Sequence, residues 1–276
     1  RVGKGTHKAL DRCTEFVRTH RYVLQCDIAK FFPTIDHAIL KTLLNNKIAD
    51  PQMMWLCEQI IDSGVGVLDS ERASRWFAGD DLFSPLRPQG LPIGNLTSQF
   101  WANVYLNTLD HFVKRELKCR AYVRYADDFS IFVKTARSAH RVKRRITRFV
   151  ETRLHLLVNE KKSAIRRPLN YEYLGFAFES SYQKGVRGQY QLVVSKTSWQ
   201  ELKYKIRQIT RKTIPACFDE RIERLNLLMR GWLNYFKPAS IHGKLKALDG
   251  WVRNRLRYCI WSRGLGRRNL RDGLRT

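Results

Sequence analysis

The sequence has no apolar run approaching the ~18 residues that a membrane-spanning helix requires, so a membrane partner is set aside. It has no Cys-x-x-Cys pair and no His cluster at zinc spacing. Its 6 cysteines (13, 26, 57, 119, 217 and 259) are scattered, which reads as reduced, mostly buried thiols of a cytoplasmic protein. No secretory leader is recognisable, which leaves the formal glycosylation acceptor Asn95-Leu-Thr97 idle. Acid is in shortest supply: 25 Asp and Glu face 51 Lys and Arg, a net charge of +26. That excess is out of place in an enzyme of small neutral metabolites. It concentrates polyanions, and neutralisation of phosphates by Lys and Arg dominates affinity for nucleic acid. With 276 residues and 43% hydrophobic content, the chain has material for a real core, in one large domain or two small ones. It opens on Arg1 rather than Met, which reads as a fragment of something longer.

Where acids are scarce, their grouping carries information. Tyr122-Val-Arg-Tyr-Ala-Asp-Asp-Phe-Ser-Ile-Phe-Val133 sets Asp127 and Asp128 between two β-prone segments, the pattern of a hairpin with an acidic tip. Two adjacent carboxylates repel unless cations neutralise them. Hard Mg²⁺ suits carboxylate oxygens, whereas a bland polar turn is the other meaning of such a dipeptide. Gly79-Asp80-Asp81 serves as an internal control: flanked by Gly79 and by Ser84-Pro85, it reads as a loop. Upstream, Tyr22-Val-Leu-Gln-Cys-Asp27 is a compact strand-like run that ends in an acid, followed by Phe31-Phe32-Pro33. One carboxylate from a strand and two from a hairpin are what a two-metal phosphoryl-transfer site needs.

Asp27 followed by Tyr125-Ala-Asp-Asp128 resembles motifs A and C of reverse transcriptases, and further matches extend the resemblance over most of the chain. Arg1-Val-Gly-Lys-Gly-Thr-His-Lys-Ala-Leu10 is similar to a fingers segment of group II intron-type enzymes. The resemblance implies that Arg1 and Lys4 reach the triphosphate of an incoming nucleotide, and that earlier fingers segments are missing. Helices are expected at His37–Lys47 and Gln52–Asp62, with Asp50-Pro51 between them, and then an irregular connection over 63–90.

Gly90-Leu-Pro-Ile-Gly-Asn-Leu-Thr-Ser-Gln99 feeds a helix expected from Ser98 to Lys118, with Phe100, Val104, Leu109, Phe112 or Val113, and Leu117 as its core stripe. The loop resembles motif B, which would place Ile93 and Gly94 beside the nucleotide. Its Ile-Gly and Ser98-Gln99 are similar to reverse transcriptases of diversity-generating retroelements, which copy template adenines with errors and work with an accessory RNA-binding protein. Pro88-Gln89-Gly90 imitates the group II intron triplet but lies four residues early.

A basic helix is expected over Ser138–Leu154. Asn159-Glu-Lys-Lys-Ser163 resembles motif D and is expected to be a strand. There Lys162 is either a general acid for the leaving pyrophosphate or one charge of a solvated run. Tyr173, Leu174 and Gly175 open a strand-like segment to Phe178 that resembles the primer grip; alone it fits any buried strand. Ser181–Tyr190 reads as a Gly- and charge-rich loop. A boundary is placed at Ser195, because 195–276 carries 20 Lys or Arg against 6 Asp or Glu. Helices at 196–212, 218–236 and 241–261 follow, with Ile222, Leu225, Leu228 or Met229, Trp232 and Phe236 as core, then a basic tail from Gly264. Arg230–Phe236 and Leu248–Leu256 resemble the thumb or maturase segment of group II intron proteins.

The expected architecture is α+β: a right-hand polymerase palm, an antiparallel sheet with helices on one face, with partial fingers over 1–194 and a basic helical thumb over 195–276. The resemblance implies an RNA-directed DNA polymerase with an RNA template, a DNA or RNA primer, deoxynucleotide substrates, and two Mg²⁺ or Mn²⁺ ions. Asp27, Asp127 and Asp128 would hold the ions, with the Ile28 carbonyl added. Phe32 would exclude the ribose 2′-hydroxyl or be a plain core residue. Motif B favours the diversity-generating type; the alternatives are a group II intron-like reverse transcriptase and maturase, and an RNA-binding, maturase-like protein whose polymerase site is vestigial.

Overall fold

The computed structural model describes residues 4–68, 70, 76–92, 94–181, 190–211, 213–214 and 216–262, with the side chains of 261 and 262 excepted. Arg1, Ile93, the loop expected over 181–190 and the tail from Gly264 therefore lie wholly or largely outside the described residues. The chain divides into two compact units, Arg1–Pro168 and Leu169–Thr276.

In the first unit, α1 (Thr6–Thr19) precedes β1 (Tyr22–Cys26), a single turn α2 (Phe31–Thr34), α3 (His37–Asn45) and α4 (Pro51–Asp62). Asp36 caps α3 by accepting from the Ala38 and Ile39 N–H groups at 2.9 and 3.2 Å. Asp50 caps α4, with Pro51 in the first turn, where its missing N–H costs nothing. Asp80 and Asp81 lie in a loop, as expected. Asp80 pairs with Arg87, and Asp81 accepts from the Phe83 and Ser84 N–H groups.

Then come α5 (Leu96–His111), extended by a π-helical turn over Phe112–Glu116, the hairpin β2 (Tyr122–Tyr125) and β3 (Asp128–Val133), α6 (Ala136–Leu154) and β4 (Ala164–Arg166). The strands form one antiparallel sheet in the order β2-β3-β1-β4. Successive strand residues point to opposite faces. Leu24, Cys26, Phe129 and Ile131 enter the main core with Trp101, Tyr105 and Leu109 of α5 and Val142, Ile146 and Val150 of α6. Each large apolar side chain fully buried there contributes about 1.5–3 kcal/mol. On the other face, Phe132 meets Phe16 of α1 at 5.5 Å between ring centroids.

The expected stripe of α5 holds at Leu109, Phe112 and Val113, which are buried, and at Val104 and Leu117, which pack against the core, but fails at its first residue. Phe100 is 62% exposed while Trp101 is 4% exposed, because the buried row runs Trp101-Tyr105-Leu109 at i, i+4 spacing.

The second unit contains β5 (Glu172–Tyr173), β6 (Phe176–Ser180) and β7 (Tyr190–Val194) in an antiparallel sheet of that order, then α7 (Lys196–Ile209), α8 (Phe218–Phe236) and α9 (His242–Ser262). The compositional boundary at Ser195 and the structural one at Pro168 differ for a physical reason. Charge follows the surface, while the unit is defined by packing. Gly175 O accepts from the Ser195 N–H and the Ser198 hydroxyl, both at 3.0 Å, and Phe176 meets Phe236 at 4.9 Å. Leu225 is buried with Leu202, Ile206 and Leu248, and Trp232 packs against that cluster, so the aromatic row of α8 is core. Arg221, 2% exposed, satisfies its guanidinium on the carbonyls of Ile209, Arg211, Ile214 and Ala216, tying down the connection from α7 to α8.

Candidate active site

Three acids gather at one end of the first sheet. β1 and β3 pair up to Cys26↔Phe129, so Asp27, the next residue, falls opposite Asp128 at the start of β3. Asp127 precedes it in the hairpin turn, where Ala126 adopts φ +53°. That left-handed backbone costs a residue with a Cβ roughly 1–2 kcal/mol, a strain held by surrounding contacts.

Electrostatics shows how crowded the acids are. Burial pushes the Asp128 carboxyl up to about 6, and the charges of Asp27 and Asp127 and a hydrogen bond with Asp27 act in the same direction. Burial likewise raises Asp127, with Asp27 adding repulsion while a backbone hydrogen bond, Lys162 and Arg124 oppose it. Asp27 itself is 7% exposed. Three converging carboxylates, only partly offset by Lys162 and Arg124, offer oxygen donors of the kind hard divalent cations accept. Among the described residues no group of three or more His, Cys, Asp or Glu side chains is arranged to hold a metal ion by itself. Mg²⁺ is held in polymerase-type sites by one or two carboxylates, waters and substrate phosphates, so this donor set fits it.

Asn159 and Ser163, the two ends of the segment that resembles motif D, hold Asp27 in place. Asn159 donates from Nδ2 to Asp27 Oδ2 at 3.0 Å and from its backbone N–H to Asp27 O at 2.8 Å; Asp27 N–H donates to Ser163 Oγ at 3.1 Å. Lys162 Nζ lies 3.4 Å from Asp27 Oδ2 on an exposed side chain. It stands on a turn over 160–162 rather than on a strand, because β4 begins only at Ala164.

Across the hairpin, Arg124 makes a two-pronged contact with Asp110 of α5, Nε to Oδ1 at 2.8 Å and Nη2 to Oδ2 at 2.7 Å. The Tyr122 hydroxyl joins at 2.6 Å, and Arg124 Nη1 reaches Ala126 O at 2.8 Å. The fork thus ties the helix beneath the sheet to the turn that carries Asp127. A charged residue inside the apolar run Tyr122-Val-Arg-Tyr was the one signal of it in the sequence.

Of the other expected site residues, Ile28 is buried and bridges Val158 next to Asp27. Phe32, on α2, is half-buried beside Phe31, their ring centroids 5.4 Å apart; Phe31 is the core member of the pair. Gly94 has φ +105° with open space where a Cβ would point, just before the α5 N-terminus. Lys4 is exposed ahead of α1. Tyr173, Leu174 and Gly175 belong to the second unit. There they form a turn rather than one continuous strand, since Leu174 (φ +52°) and Gly175 (φ +78°) reverse the chain between β5 and β6.

An antiparallel sheet with its helical layer beneath and a hairpin end rich in acid defines the palm class of nucleotide polymerases. Residues 1–178 match the family model of reverse transcriptase (RNA-dependent DNA polymerase), and residues 199–272 match the group II intron maturase-specific domain. The chain belongs to the reverse transcriptase family. It is 24% identical over 177 residues to Protein YkfC of Escherichia coli (strain K12), covering 52% of this chain and 43% of that protein. Similar solved structures include telomerases, in complex with a TWJ fragment of telomeric RNA, from Candida albicans (TM-score 0.45, 11% identity, 92% of this chain and 47% of that one) and Candida tropicalis (TM-score 0.47, 11%, 85% and 42%). The chain spans under half the length of these relatives. Among the described residues no helix is long and apolar enough to cross a membrane.

Proposed function

We propose that this chain catalyses RNA-templated DNA synthesis, joining the 3′-hydroxyl of a primer to the α-phosphate of a deoxynucleotide with release of pyrophosphate. The observation that carries the reading is the meeting of Asp27 with Asp127 and Asp128 at one end of the four-stranded sheet. Two Mg²⁺ ions bound there would neutralise charge on the attacking and leaving oxygens. Asp27, Asp127 and Asp128 would hold the ions, with the Ile28 carbonyl as a further donor. Lys162, already drawn to Asp27, is placed to give a proton to departing pyrophosphate. Phe32 offers a half-buried ring edge against a 2′-hydroxyl. Lys4 and Gly94, with Arg1 and Ile93, contribute to the nucleotide pocket, and Tyr173, Leu174 and Gly175 to holding the primer. The basic second unit binds the template–primer duplex through its phosphates.

Primer extension on an RNA template, with and without Mg²⁺, tests the proposal. Wild type should extend only with the metal and Asp127→Asn should not extend; extension that survives that substitution sinks the site.

Two subfamily readings rest on different residues. Ile93-Gly94 with Ser98-Gln99 favours a diversity-generating enzyme with an accessory RNA-binding protein. The match of 199–272 to the maturase-specific domain favours a group II intron-type enzyme. We adopt the former because the resemblance to motif B puts those residues beside the incoming nucleotide. Sequencing the product of a defined template decides: misinsertion opposite adenine supports it, and faithful copying supports the group II intron-type reading.

A further inference from the structure

We propose that the outward face of α6, together with the π-helical turn beside it, is a second nucleic-acid site that grips the phosphates of an RNA stem distinct from the template–primer. That the site is a second one rests on the polymerase reading; that this face binds duplex RNA does not.

Helix α6 is amphipathic in an unusual way. Ala139, Val142, Ile146, Val150 and Leu154 are buried, while Arg137, Arg141, Arg144, Arg145 and Arg148 are all exposed. The arginines lie at i, i+4, i+7, i+8 and i+11, a row roughly 16 Å long. Like charges at i, i+4 destabilise a helix, and this row contains three such pairs: Arg137/Arg141, Arg141/Arg145 and Arg144/Arg148.

A face that served only for solubility would intersperse acids, and the chain shows what that looks like. Lys205 pairs with Glu201 on α7, Arg224 with Glu220 on α8 and Arg253 with Asp249 on α9, all at i, i+4. On α6 the one acid is Glu151, and among the described residues none of the five arginines forms an ion pair. The choice of Arg over Lys also matters, since a planar fork matches phosphate in two-pronged geometry.

The cationic face continues onto a second element. Phe112 of the π-helical turn stacks on Phe149 of α6 at 4.1 Å, with the Arg145 guanidinium 5.8 Å from the Phe112 ring centroid. Exposed Lys118 follows that turn, next to Cys119, whose thiol feels the charges of Arg141 and Arg145, while Lys114 turns to the Tyr122 ring at 5.9 Å. Among the described residues no large aromatic of α6 or the π-helical turn is exposed, so there is no platform for stacking single-stranded bases. A rigid row of guanidiniums without stacking partners suits the backbone of a duplex, read by shape rather than sequence.

The face is also separate from the acids. After α6 the chain returns to pair Val158 with Ile28 and Asn159 with Asp27, so the C-terminal end of α6 lies nearest the acids. The arginine row runs away from that end, from Arg148, roughly 9 Å back along the helix axis, to Arg137, roughly 25 Å back.

The test uses the full chain preloaded with saturating template–primer, and a primer-free RNA hairpin of about 16–20 base pairs. The variant carries Arg137→Gln, Arg141→Gln, Arg144→Gln and Arg148→Gln, which preserve helix propensity. Hairpin affinity near 0.15 M salt should fall about 10–100-fold. The slope of log affinity against log salt should become shallower by about 3, and primer extension should be unchanged. A control replaces Arg12, Arg18, Lys41 and Lys47 with Gln, removing the same charge from elsewhere in the first unit; it should lose little. Unaltered affinity and slope, or an equal loss in the control, overturns the proposal. So does a loss confined to anionic phospholipid vesicles, which would make the face a membrane surface. Should the quadruple variant fail to fold, the pair Arg141→Gln and Arg144→Gln must show about half the change in slope.

Discussion

Replacing Asp128 with Asn should stabilise the metal-free protein while abolishing synthesis. In the fold this carboxyl is raised from 3.8 to about 6, first by burial and then by Asp27 and Asp127. Two pH units correspond to about 3 kcal/mol when the group is forced to ionise. The side chain is only half-buried and solvent screens part of that, so the cost at pH 8 is on the order of 1 kcal/mol. The sign follows from linkage. A raised pKa gives stability that is fully present below 3.8 and lost as pH climbs through about 6. Asn carries no such charge. Melting in chelator should therefore show Asp128→Asn about 2–4 °C above wild type at pH 8, with the gap closing as pH falls from 6 towards 4. Saturating Mg²⁺ should narrow the gap at pH 8 by stabilising the wild type alone. A variant that melts at or below wild type at pH 8 in chelator, or a gap independent of pH, refutes the idea that these acids strain one another.

Arg124→Met leaves half-buried Asp110 with only the Tyr122 hydroxyl and should cost about 1–3 kcal/mol in denaturant unfolding, with most of the loss recovered when Asp110→Leu is added. Synthesis should stay impaired in that double variant, because the hold on Ala126 O is gone. Phe32→Val should admit ribonucleotides during primer extension, read as the ratio of kcat/KM for the two sugars; an unchanged ratio makes Phe32 a plain core residue.

How much of this was legible depended on the range of each contact. The α8 pattern was readable to its ends, since Leu225, Trp232 and Phe236 sit on one side of a helix. The acids were readable because each closes or interrupts an apolar run. Their supports were not: Asn159 and Ser163 reach Asp27 from 132 and 136 residues away, a proximity that no local period encodes. In α5, Phe100 and Trp101 are adjacent and both apolar, so only the neighbouring layer could decide which turned inward. Leu174-Gly175 lacks the Asn or Asp that usually announces a tight hairpin turn, and its reversal was read as continuous strand.

One consequence follows from β3 being buried along both faces from Phe129 to Val133. A ribbon greasy on either side has no wrong side, so sliding by a notch along β1 would forfeit little burial. Polar pins fix the two ends that must meet: the Arg124 fork ties the hairpin turn to α5, and Asn159 and Ser163 hold Asp27 at the end of β1. The pins that index the hairpin thus also aim the carboxylates, and loosening one should misalign the chemistry before it melts the sheet.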